Sequence, residues 1–139
     1  MDGAIAHQSG AAGASILRDE TGETLNDIVR TYPHWLSPSA AKYAENPKSL
    51  PSDAQALLAV ISPKPILLGN ARRDVWSDPE GAYHAAKWAA DNTEQKFSAK
   101  RLDDFQPTDD IAIWTRPGTH GVVKEDWPVF LDFLDAHFK

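Results

Sequence analysis

The chain has no cysteine among its 139 residues. Disulfides, a thiol nucleophile and cysteine-type zinc sites are therefore excluded, while the compartment stays open because a secreted protein can also lack cysteine. No apolar run approaches the roughly 18 residues that a membrane span requires, so no membrane partner is expected. The opening Met1-Asp2-Gly3-Ala4-Ile5-Ala6-His7 has no basic segment followed by a long apolar one, and no signal peptide is expected in this chain. Positive charge is in deficit: 14 Lys+Arg stand against 20 Asp+Glu, for a net charge of −6. An acidic chain without a basic stripe is poorly suited to nucleic acid, and no such partner is expected. His7, His34, His84, His120 and His137 are scattered, with no His-Glu-x-x-His, so neither a metal site nor a cofactor is expected. His137 and the acid pairs Asp103-Asp104 and Asp109-Asp110 read as solvated. No internal repeat or low-complexity tract is visible.

What is present fits one modest core. Hydrophobic residues make up 42% and charged residues 24% of the chain. That is the balance of a soluble globular protein of one-domain length. The first strand is expected over Gly3–Gln8, followed by a run of small residues from Ser9 to Ser15. A short helix is expected over Gly22–Val29, with Thr24 as its cap. Residues 31–48 are irregular, with two prolines and two aromatics in Tyr32-Pro33-His34-Trp35-Leu36-Ser37-Pro38. Ser52-Asp53 offers a cap to a helix through Leu57, Leu58, Val60 and Ile61, ended by Pro63 and Pro65.

Pro65-Ile66-Leu67-Leu68-Gly69-Asn70 is a continuous apolar run between breakers, the pattern of a buried parallel strand. Asp78 and Pro79 then open a helix running to about Ala90, with Tyr83, Ala86, Trp88 and Ala89 at its apolar positions. Ile111-Ala112-Ile113-Trp114 gives a third strand. A last helix over Lys124–Phe138 places Trp127, Phe130, Leu131, Leu134 and Phe138 on one apolar face. The order predicts an α/β fold, with about three parallel strands and flanking helices. Ligands of such sheets bind beyond the carboxyl ends of the strands.

Two residues with useful chemistry fall at those ends. Asp74 lies four residues past the buried strand, and His120 lies in the turn after the next one. A strand followed by an acid, then a strand followed by His, is the second half of the chain order Ser…Asp/Glu…His. A hydroxyl nucleophile needs a base that takes its proton near neutral pH, and imidazole suits this. The imidazole in turn needs a carboxylate to fix its tautomer. Plainer readings compete: His120 as an exposed turn residue, Asp74 as a turn acid paired with Arg72 or Arg73, and Asp78 as a helix cap.

These stretches are similar to the carboxyl-terminal part of the glucuronoyl methylesterase-like carbohydrate esterases, an α/β-hydrolase group also labelled acetyl xylan esterase-like. Gln8-Ser9-Gly10-Ala11-Ala12-Gly13, Tyr32-Pro33-His34-Trp35-Leu36-Ser37-Pro38, Leu50-Pro51-Ser52-Asp53, Trp76-Ser77-Asp78-Pro79-Glu80-Gly81 and Arg116-Pro117-Gly118-Thr119-His120-Gly121 carry the resemblance in order. It covers nearly the whole chain, read as a partial α/β-hydrolase domain over residues 1–139. It implies a serine esterase acting on a carbohydrate ester, such as a glucuronoyl or acetyl ester on xylan-type glycans. His120 matches the family's general base. Some relatives place their acid just before the first Ser-Gly, where this chain has Gln8. Others place it after the following strand, which points to Asp74, with Asp78 as the fallback. Trp35 lies in a stretch resembling the family's sugar-facing loop, with core packing as the alternative.

One element of that chemistry is absent from the 139 residues. No Gly-x-Ser-x-Gly elbow occurs, and neither Ser9 nor Ser15 is set in one. The expected function is thus the acid and base half of a serine carbohydrate esterase, inactive alone. The missing half, or self-association through an exposed sheet edge, is its expected partner. The alternatives are a non-enzymatic α/β fragment that binds carbohydrate or self-associates, and a truncated gene product. Members of the resembled family are often secreted.

Overall fold

The computed structural model describes residues 4–7 as backbone, 22–52 and 55–138. Its centre is a three-stranded parallel sheet in the order β1 (Ala4–His7), β2 (Ile66–Ala71), β3 (Ile111–Arg116). Ala4 pairs with Ile66, and Ile66 in turn with Ile111. The expected small-residue run after β1 and the expected cap at Asp53 lie outside the described residues. The helices are α1 (Leu25–Thr31), α2 (Pro38–Ala41), α3 (Gln55–Ile61), α4 (Pro79–Thr93) and α5 (Asp126–His137). The short α2 falls inside the stretch expected to be irregular. Ser37 caps it, its Oγ accepting from the Ala40 amide at 3.2 Å.

Alternation along β2 and β3 splits the core in two. Ile66, Leu68, Ile111 and Ile113 pack with Leu58 of α3 and with Ala85, Ala86, Ala89 and Ala90 of α4. Leu67 and Ala112 point the other way and pack with Phe130 and Phe133 of α5. Successive strand residues face opposite sides, so a run of apolar residues is what a sheet covered on both faces needs.

Two helix faces differ from expectation. In α4 the buried stripe is Ala82, Ala85, Ala86, Ala89 and Ala90, whereas Trp88 is 40% exposed. Alanines at i, i+3, i+4 and i+7 let the helix lie close to the sheet, and an indole has no room in that seam. In α5 the buried residues are Asp126, Phe130 and Phe133, while Trp127, Leu131 and Phe138 are exposed. Its rotation is set by a buried ion pair: Arg116 Nε lies 3.2 Å from Asp126 Oδ1. Drawing that carboxylate inward turns Trp127 and Leu131 out.

Two groups expected to be solvated are structural instead. Asp109 is fully buried, and its carboxylate accepts from the Ser98 amide at 2.7 Å and from Ser98 Oγ at 2.8 Å. His137 is half-buried, and its Nε2 lies 3.0 Å from the Asp109 carbonyl. Together they tie the segment before β3 to the end of α5.

The first helix is held by a capping box. Asp27 N–H donates to Thr24 Oγ1, while Thr24 N–H and Oγ1–H both donate to Asp27 Oδ2. The hydrogen bonds from the Thr24 hydroxyl and amide hold the Asp27 carboxyl below its ordinary value. A depressed carboxylate stabilises the fold above its unfolded value and loses that contribution as pH falls through the folded one. Thr24→Ala is expected to cost about 1 kcal/mol, measured by thermal unfolding at neutral pH. The cost should shrink in acid, where Asp27 is protonated in both chains. An equal cost in acid would remove the carboxylate from this account.

Candidate active site

Both site loops leave the carboxyl ends of neighbouring strands. After β2, the chain passes through Arg72 and Arg73 to Asp74, then through a single tight turn at Val75–Ser77 into α4. The Asp74 carboxylate is buried, with 7% of its side chain exposed. Its Oδ2 accepts from Ser77 Oγ at 2.8 Å. The same oxygen lies 2.9 Å from His120 Nδ1. An ionised carboxylate only accepts hydrogen bonds, so Nδ1 is the protonated nitrogen. His120 keeps 71% of its side chain exposed. Anchored at Nδ1, the ring leaves Nε2 with no hydrogen-bond partner among the described residues.

Asp78 does something else. It has left-handed backbone (φ 41°) and caps α4, Oδ1 accepting from the Gly81 amide at 3.0 Å. The structure therefore brings His120 to Asp74 and turns Asp78 into a helix cap. Arg72 does not pair with Asp74 either; its guanidinium lies 3.4 Å from Asp103. Trp35 is 60% exposed and stacked flat on Tyr32, with centroids 4.1 Å apart and planes 9° from parallel. It is not a core residue. Among the described residues it makes no hydrogen bond or ring contact with Asp74 or His120.

The two loops are stitched together through their backbones. Arg72 N–H donates to the Arg116 carbonyl at 2.9 Å, and Arg73 N–H to the Gly118 carbonyl at 2.9 Å. The segment before α1 also docks on the acid loop. Glu23 N–H donates to the Trp76 carbonyl at 2.9 Å, and Trp76 Nε1 donates to Glu23 Oε1 at 3.3 Å. Gly22 permits this approach, since it has φ 78° and a Cβ there would meet Asp78 Cβ at 3.0 Å.

Sequence reasoning missed Ser77, Arg116 and Asp126. A serine three residues after an acid at a strand end is a legible turn signal for Ser77. Nothing local to Arg116 or Asp126 announces that they meet. No group of three or more metal-ligating side chains is found among the described residues.

A parallel sheet with helices on both faces, presenting a carboxylate-oriented imidazole beyond its strand ends, has the layout of an α/β-type hydrolase. A family model described as glucuronyl esterase, fungi, matches residues 3–95. The curated carbohydrate esterase MZ0003, from an unknown prokaryotic organism, is 33% identical over 140 residues, covering 96% of this chain and 32% of that protein. Among solved structures, a promiscuous CE15 esterase from a marine bacterial metagenome superposes with a TM-score of 0.83. It is 33% identical, over 96% of this chain and 35% of its own. A glucuronoyl esterase from Solibacter usitatus does so with a TM-score of 0.83 and 28% identity, over 97% of this chain and 36% of its own. The chain belongs to the glucuronyl esterase family. It spans about a third of the length of these relatives.

Proposed function

We propose that this chain is the carboxyl-terminal portion of an α/β-hydrolase fold and carries the acid and base of a serine carbohydrate esterase. Its substrate class is a glucuronoyl or related ester on a xylan-type glycan. The observation that carries this reading is the 2.9 Å contact between His120 Nδ1 and Asp74 Oδ2, in a chain of this family. His120 Nε2 takes the proton of a serine hydroxyl as its oxygen attacks the ester carbonyl. The imidazolium so formed is stabilised by the Asp74 carboxylate, and it then gives the proton to the departing alcohol. Water hydrolyses the acyl-serine with the same base, so that ester and water become acid and alcohol. The serine and the oxyanion donors come from outside these 139 residues, since no nucleophile elbow occurs within them. The exposed ring of Trp35, braced by Tyr32, is suited to stack on a sugar face.

The test is a chimaera in which these residues replace the segment they match in the marine metagenomic esterase. Expected is hydrolysis of a methyl glucuronate ester by the chimaera and none above buffer by the 139-residue chain alone. A folded but inactive chimaera sinks the esterase reading. Hydrolysis by the chain alone would reveal a nucleophile within it.

A further inference from the structure

We propose that Arg116 and Asp126 form the positioning pair for the base, a buried ionic clamp that holds the His120 loop so that Nδ1 faces Asp74. This rests on the reading of His120 as the base and assigns to it two residues outside the acid–base pair. The Arg116 guanidinium is buried and donates to three carbonyls of one turn. Nη1 meets Pro117 O at 3.1 Å, and Nη2 meets Thr119 O at 3.0 Å and also Gly121 O. Thr119 and Gly121 flank His120, so the fork grips the backbone on both sides of the imidazole.

Five N–H donors in a fixed plane can do this; the flexible ammonium of a lysine cannot. Asp126 compensates the buried charge through Nε and ties in further groups. Trp114 Nε1 donates to Oδ1 at 3.2 Å, and the Val123 amide donates to Oδ2 at 2.9 Å. Glycine at 118 keeps the clamp open, since a Cβ there would lie 2.3 Å from Arg116 Nη1. His120 is mostly exposed, so side-chain packing does not fix its ring. The clamp and the two backbone bonds to Arg72 and Arg73 hold the loop instead.

The experiment reads the tautomer of His120 in the 139-residue chain by long-range proton–nitrogen NMR, at a pH where histidines are ordinarily neutral. His137 serves as an internal standard: its Nε2 donates to the Asp109 carbonyl, so it shows the opposite tautomer as long as the fold holds. In the wild type His120 is expected in the Nδ1–H form. Arg116→Gln is expected to lower the ratio of Nδ1–H to Nε2–H by about tenfold, the scale of one charge-assisted hydrogen bond, with His137 unchanged.

If Arg116→Gln loses the folded spectrum, Arg116→Lys carries the test, because it keeps the charge beside Asp126 without the planar fork. A ratio at the wild-type value in the folded variant overturns the clamp. Wild-type His120 in the Nε2–H form would instead overturn the acid–base reading itself, so the two failures are distinguishable.

Discussion

Replacing His120 by alanine in the chimaera is expected to lower kcat for a glucuronate methyl ester by roughly 10⁴-fold or more, with KM nearly unchanged. The reasoning is a matter of which state the residue serves. An imidazole that removes a proton as the serine attacks acts on the transition state, so its loss appears in kcat. Among the described residues its ring makes no hydrogen bond or ring contact beyond the bond to Asp74, and 71% of its side chain is exposed. The variant should therefore fold as the parent does.

Asp74→Asn tests the other half of the pair. An amide can donate to Nδ1 and so favour the wrong tautomer, and its effect should approach that of losing the base. Asp78→Asn, by contrast, should leave kcat within a few-fold, because asparagine is also a good helix cap. A large kcat loss in Asp78→Asn with an unaffected Asp74→Asn would reverse the assignment of the acid.

The second large effect is on stability. Asp126→Ala is expected to destabilise the chain by about 3–5 kcal/mol, read from urea unfolding. The carboxylate is fully buried beside a guanidinium with 6% of its side chain exposed. Removing it leaves that charge without its ionic partner in a dry site, and the Trp114 and Val123 donors without their acceptor. Folded domains hold only about 5–15 kcal/mol in all, so this single change takes a large share.

The cost lies in the stranded charge and not in the pair's own worth. Replacing both partners by apolar residues should therefore cost less than the single change, as with Arg116→Met combined with Asp126→Leu. A double variant as unstable as the sum of the two singles would show that the residues act independently. Asp126→Ala within about 0.5 kcal/mol of wild type, the range of an ordinary surface change, would show that the pair carries no stability.

Much of the scaffold was legible because its signals are local. The run Pro65–Asn70, bounded by breakers, and the run Ile111–Trp114 are short and apolar, and they became the buried strands Ile66–Ala71 and Ile111–Arg116. Asp78-Pro79 marked the start of α4 to the residue. That the loops carrying Asp74 and His120 approach each other was legible from topology, since adjacent parallel strands bring their following loops together, while the choice of Asp74 over Asp78 leaned on the family resemblance.

What failed were side-chain orientations decided by a particular polar partner or packing distance. Of the five residues expected on the apolar face of the last helix, Phe130 is buried, yet Trp127, Leu131 and Phe138 face outward, with Arg116 drawing Asp126 inward. Asp109 looked like one of several surface acids, but Ser98 supplies two donors that make its burial tolerable. Trp88 looked like a core residue until the alanine seam of α4 left it no space. In each case a polar partner or a packing distance outweighed hydrophobic pattern.

The backbone stitches between the two site loops have a consequence for inheritance. Asp74, His120 and the pair proposed to align them, Arg116 and Asp126, all lie between residues 66 and 126, within one strand–helix–strand unit and the start of the helix after it. On the proposed reading, recombination that moves this stretch of gene would move a pre-aligned proton acceptor as one piece. Under the same proposal, a part bearing the nucleophile would be free to diverge in its ester and sugar preferences without that base having to be rebuilt.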